Sequence, residues 1–304
     1  MNILNTLISP SSPEQAAVEA AHDAAHDAAH EADHARRFGG IGRLYGHAAL
    51  ARFSAAHVCV IGVGGVGSWI VEALARSAVG ELTLIDLDNV AESNINRQIQ
   101  AMTSTIGQAK IGALAERIVQ INPACKVHQV EDFIGPDNVE QMLGGKSFDY
   151  VIDAIDSVKA KAALIAYCRN HAIRIITIGS AGGQTDPTRI EVRDLTKTEQ
   201  EPLLKMVRKR LRCQYNFPRS IKTRFQVDAV FSMEPLTLPE NVDSCEIEAD
   251  GVSGLNCAGF GSSVVVTASF GMIAAGHVLS RLAAGVSPEA NGSDPVHAPD
   301  ALLS

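Results

Sequence analysis

The chain has 304 residues, of which 46% are hydrophobic and 20% are charged, enough to bury a sizeable core in one large domain or two small ones. Its 26 basic and 34 acidic residues give a net charge of −8, which argues against a uniformly basic nucleic-acid-binding protein. The six cysteines lie far apart with no C-x-x-C pair, which argues against a four-cysteine zinc site and a disulfide scaffold and favours reduced thiols in the cytosol.

Residues 1–35 differ from the rest of the chain in being rich in alanine and histidine. They carry a histidine at every fourth position, namely His22, His26, His30 and His34, a spacing that would place the four rings on one helix face. A transition-metal stripe is one interpretation, but we favour a low-complexity, disordered extension. Residues 1–10 contain no basic residue, so we expect no secretory signal and a cytoplasmic protein.

From residue 36 to residue 285, short apolar runs alternate with helical patterns. The runs typical of buried parallel strands are 57–63, 81–86, 126–130, 148–153 and 173–179. The helical patterns are 66–78, 109–121, 137–143 and 158–171. The sequence therefore predicts an α/β fold, a Rossmann-like, doubly wound and mainly parallel sheet, in one domain spanning 36–285.

After Gly182 the alternation breaks, and a C-terminal elaboration follows: a strand at 189–195, a basic helix and a final apolar helix. Residues 258–280 contain no charged side chain and are long enough to span a bilayer. Because this stretch contains four glycines, several hydroxyl side chains and His277, we favour a buried core helix. Residues 286–304, rich in Pro, Gly, Ser and Asp, are predicted to be a disordered tail.

The first predicted strand runs directly into a glycine-rich turn that opens a helix. Its glycines are Gly62, Gly64, Gly65 and Gly67. Glycines let the backbone approach a phosphate, and the free N–H groups of a helix N-terminus attract anions. Nineteen residues further on, Asp86 ends the second strand, followed by Asp88, where a carboxylate can accept both ribose hydroxyls. These features fit an NAD-dependent dehydrogenase and an ATP-using enzyme equally well.

The residues that follow favour ATP. The run 92–98 contains Ser93, Asn94, Arg97 and Gln98, and Lys110 follows closely. A triphosphate needs cations for its γ-phosphate and for the departing pyrophosphate, which Arg97 and Lys110 can supply. Asp153 ends the fourth strand at the same sheet edge, as suits a carboxylate that holds Mg²⁺ on the phosphates.

One segment, 203–226, is strongly basic. It carries eight cations and no acidic residue: Lys205, Arg208, Lys209, Arg210, Arg212, Arg219, Lys222 and Arg224. Tyr215, Phe217 and Phe225 are interleaved with them, a pattern that suits phosphate contact and base stacking on a single-stranded RNA loop. A solvated helix face is the alternative, and we favour RNA binding.

Five motifs carry a family resemblance: GVGGVG at 62–67, DLD at 86–88, SNINRQ at 93–98, GQAK at 107–110 and INP at 121–123. They resemble the adenylating domain of ubiquitin-activating and sulfur-carrier-activating enzymes. Within that family the chain is similar to the tRNA threonylcarbamoyladenosine dehydratase branch, through residues 37–46, 151–157, 161–168 and 181–188. The likeness covers residues 36–284.

The resemblance implies roles for the residues that match. The four glycines would hold ATP and Asp86 its ribose, with Asp88 and Gln98 beside them. Ser93, Asn94, Arg97 and Lys110 would line the phosphate path, and Asp153 would bind Mg²⁺. In related enzymes an arginine ahead of the first strand reaches the partner subunit's ATP, which implies a homodimer; Arg43 is the candidate and Arg37 the reserve.

The activity implied is ATP-dependent dehydration of N6-threonylcarbamoyladenosine, next to the tRNA anticodon, to its cyclic form through adenylation of a carboxylate. Alternatives are adenylation of the C-terminus of a ubiquitin-like or sulfur-carrier protein, an NAD-dependent oxidoreductase, and a nucleotide-sensing scaffold without turnover. The missing C-x-x-C zinc ligands count against the first alternative. Functions for Cys245 and Cys257, a monovalent cation, and a sulfur-acceptor partner of a cysteine desulfurase stay open.

Overall fold

The computed structural model describes residues 31–220, 222–237 and 260–285. Its helices are α1 (31–45), α2 (His47–Ala55), α3 (Gly67–Arg76), α4 (Lys110–Ile121), α5 (Val139–Leu143), α6 (Val158–Asn170), α7 (Pro202–Gln214) and α8 (Val264–Ala284). Short 3₁₀ turns occupy Glu92–Asn94, Thr103–Thr105, Pro187–Arg189 and Leu195–Lys197. The remaining N-terminal extension, the C-terminal tail, and both Cys245 and Cys257 lie outside the described residues.

Seven strands form one twisted sheet. They are β1 (His57–Ile61), β2 (Glu81–Ile85), β3 (Lys126–Val130), β4 (Tyr150–Asp153), β5 (Ile175–Ile178), β6 (Ile190–Asp194) and β7 (Asp228–Ser232). The order across the sheet is β3-β2-β1-β4-β5-β7-β6, and every pair is parallel except β6 with β7. The doubly wound, mainly parallel α/β fold is confirmed. The strand order reverses between β1 and β4, which is where a crevice opens in such sheets.

Side chains alternate between two cores because neighbouring residues of a strand point to opposite faces. Val58 and Val60 of β1 join the core formed with α2, α3, α4 and α8. Cys59, which lies between these two valines, and Ile61, which follows Val60, join the core formed with α5, α6 and α7. The sheet is therefore covered on both sides, and the carboxyl ends of its strands remain as the open rim.

Three features differ from the sequence predictions. β3 is an edge strand with largely exposed residues, so its interpretation as buried was wrong. β7 was not predicted, because its short apolar run follows directly on the basic segment. Residues 31–35, assigned to the extension, continue without a break into α1, so residue 35 does not mark a structural boundary.

The apolar stretch near the C-terminus forms α8, which has the length and the mean hydropathy (1.4) that would allow a membrane span. One face of α8 contributes Phe270, Ala274 and Val278 to the core, as the core-helix interpretation expects. A Cβ on Gly271 would lie 2.7 Å from Cβ of Trp69, so a glycine here is what lets α8 approach α3 closely. His277 contacts the Asp228 carboxylate at 2.7 Å, which ties α8 to β7.

Candidate functional site

A cleft of about 640 Å³ lies at the carboxyl ends of the parallel strands. It is lined by the loops that follow β1, β2, β3, β4 and β5, together with Arg97, Gln98 and Lys110. The topological switch between β1 and β4 lies at its centre. The sheet therefore gathers the predicted nucleotide-binding segments, which are far apart in sequence, at one rim.

The glycine turn is shaped by close backbone contacts. Gly62 has φ +82°, and a Cβ there would lie 2.8 Å from the Ala154 carbonyl oxygen on the neighbouring loop. A Cβ on Gly67 would overlap the Gly62 carbonyl oxygen at 1.8 Å. Gly64 and Gly65 instead face the side chains of Gln98 and Arg97 and line the cleft. Two glycines thus permit the turn, and two leave room where an anion can approach the N-terminus of α3.

Asp86 anchors this turn as well as facing the cleft. One of its carboxylate oxygens accepts a hydrogen bond from the Val63 N–H at 2.7 Å, and the other accepts from the Asp88 N–H at 2.9 Å. A carboxylate has about four acceptor positions, so two remain for a ligand's hydroxyl groups. Asp86 lines the cleft, as a ribose-binding residue must.

Lys110 lies at the start of α4 and is buried. Its Nζ is 2.7 Å from an oxygen of Asp88, a carboxylate that is mostly exposed. Both side chains line the cleft. The pair therefore places a cation at the rim of the cleft. A phosphate can replace Asp88 as the partner of this cation, because Asp88 is solvated and loses little when the lysine binds another anion.

Arg97 also lines the cleft. Its guanidinium donates to the carbonyl of Ser93 at 2.6 Å and to Oδ1 of Asn96 at 3.1 Å. Its own carbonyl accepts from the indole N–H of Trp69 at 2.9 Å. Asn94 and Gln98 also line the cleft, whereas the exposed Ser93 is not among its lining residues and contributes its carbonyl. The run 93–98 therefore acts as a clamp that fixes Arg97.

Asp153, which the sequence predicts beside a metal ion, is not among the residues that line the cleft. Its side chain is 0% exposed and lies 3.1 Å from Nζ of Lys161, which is equally buried. The Thr177 hydroxyl donates to Asp153 at 2.7 Å, and the Ile155 N–H donates at 3.2 Å. With its charge neutralised and its oxygens occupied beneath the rim, this carboxylate supports the loop after β4.

The acid that lines the cleft from that loop is Asp156, three residues later. Asp156 lies within the segment 151–157 that carries the family resemblance, but the metal role was predicted for Asp153, which ends the strand. The sequence does not show how far the loop after β4 extends along the cleft. Asp132 and Phe133 from the loop after β3, and Ser180 after β5, also line the cleft and were not predicted. Phe133 is 67% exposed, which is a large apolar surface at the rim.

The floor of the cleft is joined to the basic helix through Glu201. This buried carboxylate accepts from the Ser180 N–H at 2.8 Å and from the Leu204 N–H at the start of α7. Burial raises the pKa of Glu201, while the two backbone donors act in the opposite direction. Leu203, in the first turn of α7, lines the cleft itself. The basic helix therefore begins at the site.

The two N-terminal arginines occupy different surroundings. Arg37 contacts Asp33 at 2.6 Å and donates to the Gln120 carbonyl at 3.1 Å, at the end of α4 of the same chain. Arg43 is exposed on α1 and is not among the residues that line the cleft. Within one subunit, therefore, neither arginine reaches the site, and Arg37 already has partners.

The basic segment divides into surface cations and supporting side chains. Lys205, Lys209, Arg219, Lys222 and Arg224 are exposed, while Arg210 is half-buried. The Arg208 guanidinium donates to Thr198 and to the Leu195 carbonyl, and burial lowers its pKa. Arg212 lies over the ring of Phe225, 5.1 Å from its centroid.

Phe225 belongs to the core, so the prediction that it stacks on RNA bases was wrong, whereas Tyr215 and Phe217 are half-buried against the same core. Phe225 is 2% exposed, and Phe217 packs edge-on against it with ring centroids 4.9 Å apart. Tyr215 packs against the same core. The aromatic residues and the cations are close in the sequence because the chain after α7 turns back onto the hydrophobic face of that helix.

Among the described cysteines, three are buried and Cys213 is exposed. Burial raises the pKa of the Cys125 and Cys168 thiols to about 12 and also raises that of Cys59. A thiol that stays protonated is a poor nucleophile. These three buried residues therefore have structural roles.

Comparison with known proteins places these features in context. A family model described as the ThiF family matches residues 39–293. The tRNA threonylcarbamoyladenosine dehydratase of Haemophilus influenzae is 54% identical over 248 residues, 81% of this chain and 93% of that protein. The Escherichia coli enzyme of the same name is 50% identical over 253 residues, 82% of this chain and 94% of that protein.

A solved structure of the Escherichia coli dehydratase in complex with ATP has a TM-score of 0.74 and 49% sequence identity to this chain. The match covers 83% of this chain and 95% of that chain. The likeness therefore extends over most of this chain and nearly all of a protein whose structure contains ATP.

The buried ion pair between Asp153 and Lys161 is expected to affect the free energy of unfolding. Lys161→Met leaves a buried carboxylate without its counterion, so we expect a loss of about 3–5 kcal/mol in the free energy of unfolding. Lys161→Met combined with Asp153→Asn removes both charges and should recover most of that loss. Urea denaturation measures both effects, with Lys159→Met, at an exposed lysine of the same helix, as the matched control. An unchanged stability in the single variant would contradict the burial of this ion pair.

Proposed function

Because the chain belongs to the ThiF family, we propose that it is an adenylate-forming enzyme that dehydrates N6-threonylcarbamoyladenosine in tRNA to the cyclic form. The observation that carries this proposal is the cleft, in which a glycine turn, Asp86, Arg97 and Lys110 lie together at one sheet rim. The similar Escherichia coli dehydratase with bound ATP supports it further. The adenylating chemistry follows from the family, and the substrate follows from the two dehydratases, which match this chain over 93% and 94% of their own length.

Different residues of the cleft bind different parts of the nucleotide in this proposal. The N–H groups at the N-terminus of α3 face the phosphates across Gly64 and Gly65, and Asp86 accepts the ribose hydroxyls. Arg97 and Lys110 balance the charge on the γ- and β-phosphates as pyrophosphate departs. Phe133, beside Ile134 at the rim, offers an apolar surface for the adenine ring.

The reaction needs a better leaving group on the substrate carboxylate. A carboxylate oxygen of the threonyl group attacks the α-phosphorus of ATP, and pyrophosphate leaves, which gives an acyl-adenylate. A nucleophilic atom of the same carbamoyl side chain then attacks the activated carbonyl carbon and expels AMP. The ring closure is intramolecular and gains from proximity. The oxygen that the substrate gives up leaves on AMP, and the attacking atom loses its proton to solvent as the ring closes. Relative to the free acid, the net change in the nucleoside is therefore the loss of one water.

Mg²⁺ fits this cleft better through Asp156 than through Asp153. Asp156 lines the cleft beside the glycine turn, and oxygen donors are the ligands that Mg²⁺ prefers. When bound, the ion would neutralise charge on the phosphate oxygens. The monovalent cation and the sulfur-acceptor partner stay predictions.

The site is proposed to be completed in a homodimer. Arg43 is exposed, whereas Arg37 contacts α4 within its own subunit. An exposed arginine on α1 can therefore extend to a partner's ATP, and Arg43 is the residue proposed for this role.

The exposed cations of 203–226 are proposed to bind the tRNA backbone. Lys205 and Lys209 are exposed on α7, the helix whose first turn borders the cleft. Phosphate contacts position an RNA and need no base-specific geometry, so surface lysines suffice. Arg208 is excluded from this surface, because its guanidinium is held by Thr198.

The reaction is tested by incubating the protein with Mg²⁺-ATP and tRNA that carries threonylcarbamoyladenosine, followed by mild digestion and mass spectrometry of the nucleosides. We expect the modified adenosine to lose one water mass. Arg97→Ala and Lys110→Ala should each lower kcat/KM by about 10²–10³-fold, because each removes charge stabilisation at the departing phosphates. Arg36→Ala, at an exposed arginine paired with Asp33, is the matched control.

An unchanged nucleoside with ATP-binding protein would refute the dehydratase activity. Pyrophosphate exchange that depends on a protein ending in Gly-Gly would favour the sulfur-carrier alternative instead. Tight nicotinamide binding without any response to ATP would favour the oxidoreductase.

Arg43 is tested by mixing subunits. Arg43→Ala and Lys110→Ala homodimers should each be nearly inactive. Unfolding and refolding them together in equal amounts should restore about a quarter of the wild-type rate, because half the dimers are mixed and each mixed dimer holds one intact site. A mixture as inactive as its components would place Arg43 outside the partner's site.

The RNA-binding surface is tested by charge reversal. Lys205→Glu and Lys209→Glu should raise the KM for tRNA while leaving the ATP affinity unchanged. The slope of log K against log salt should fall by about 0.9 for each phosphate that a variant no longer binds. Arg36→Glu introduces the same charge change on α1 and controls for net charge. Equal effects of all three variants would argue for a nonspecific electrostatic contribution.

A further inference from the structure

A second cluster of chemically active side chains lies at the other end of the sheet, away from the nucleotide cleft. His57 and Glu81 are the first residues of β1 and β2, and His128 is the third residue of β3. The strand register places all three on one face of the sheet. Within the described residues, they form a group of three metal-ligating side chains whose ligand atoms all lie within 4.8 Å of one another.

The distances fit a shared ion. His128 Nε2 lies 2.8 Å from Oε1 of Glu81, and His57 Nδ1 lies 3.5 Å from the same oxygen. Ligands bound at 2.0–2.1 Å around a tetrahedral ion are separated from each other by roughly 3.3 Å. Small rotations of these side chains therefore place one ion at bonding distance from all three atoms. Two imidazoles and one carboxylate form a donor set that Zn²⁺ accepts, with water as the fourth ligand.

The surroundings hold the His57 ring in an orientation suitable for binding. Its other nitrogen, Nε2, is 2.8 Å from the Thr83 hydroxyl, an acceptor that orients a metal-binding imidazole. The ring also packs edge-on against Phe148, with centroids 4.6 Å apart. The Asp149 carboxylate accepts from the His57 backbone N–H at 2.8 Å and adds negative charge at this end of the sheet.

We propose that His57, Glu81 and His128 form a Zn²⁺ site at the amino-terminal edge of the sheet, separate from the adenylating cleft. The site joins three adjacent strands, including the exposed edge strand β3, so ion binding stabilises the folded domain. It uses no residue of the nucleotide cleft and does not depend on the proposed reaction.

The experiment is calorimetric titration of the metal-free, full-length protein with ZnCl₂. His22, His26, His30 and His34 are replaced by glutamine in every sample, because the N-terminal histidine repeat offers competing ligands. We expect one Zn²⁺ ion to bind and the Tm to rise with its concentration. His128→Gln and Glu81→Gln should each raise the Kd for Zn²⁺ by at least about tenfold. Thr83→Val retains all three ligands and should raise the Kd by about 10–100-fold.

His47→Gln, at an exposed histidine outside the cluster, is the matched control and should leave the Kd unchanged. MgCl₂ should leave the Tm unchanged in the absence of nucleotide, since the donor set contains two nitrogens. Circular dichroism checks that each variant folds. Zn²⁺ binding that is absent, or equally strong in His128→Gln, Glu81→Gln and His47→Gln, would overturn the proposal.

Discussion

The contact between the turn after β1 and the loop after β4 is the constraint on which the cleft depends. Gly62 passes so close to the Ala154 carbonyl that no side chain fits, and its positive φ is one that glycine adopts without strain. This contact lies at the switch point of the sheet, where the two chain segments diverge. The turn is held from other directions too, because the Val63 N–H donates to Asp86 and the Val63 carbonyl accepts from Gln100. The geometry of the backbone in this turn is therefore fixed before any ligand binds.

Charges at the rim and beneath it have different tasks. Lys110 and Arg97 can exchange their present partners for a phosphate, because those partners are solvated or are backbone carbonyls. Lys161 cannot, because it is fully buried and its ammonium group lies among Asp153 and Thr177. The buried pair sets the position of the loop that carries Asp156, whereas Lys110 and Arg97 line the cleft itself.

The sequence was sufficient for the sheet and for most of the cleft, because alternating apolar runs and a glycine turn depend on local patterns. It placed Gly62, Asp86, Arg97 and Lys110 at one rim, as observed. It did not reveal the burial of Asp153 against Lys161, because a carboxylate that ends a strand looks the same in sequence whether a buried lysine or solvent surrounds it. It failed also at Phe225, where only the path of the chain after α7 reveals that the ring turns inward. β7 escaped prediction because its short apolar run follows directly on the basic segment, and only long-range pairing shows that it lies between β5 and β6.

The carboxylate of Glu201 bonds at once to the loop after β5 and to the first turn of α7. Such a shared anchor makes the floor of the pocket and the basic helix a single mechanical unit, since neither can shift without breaking a buried hydrogen bond. A designer who replaced this helix with another would therefore have to transplant the loop after β5 with it.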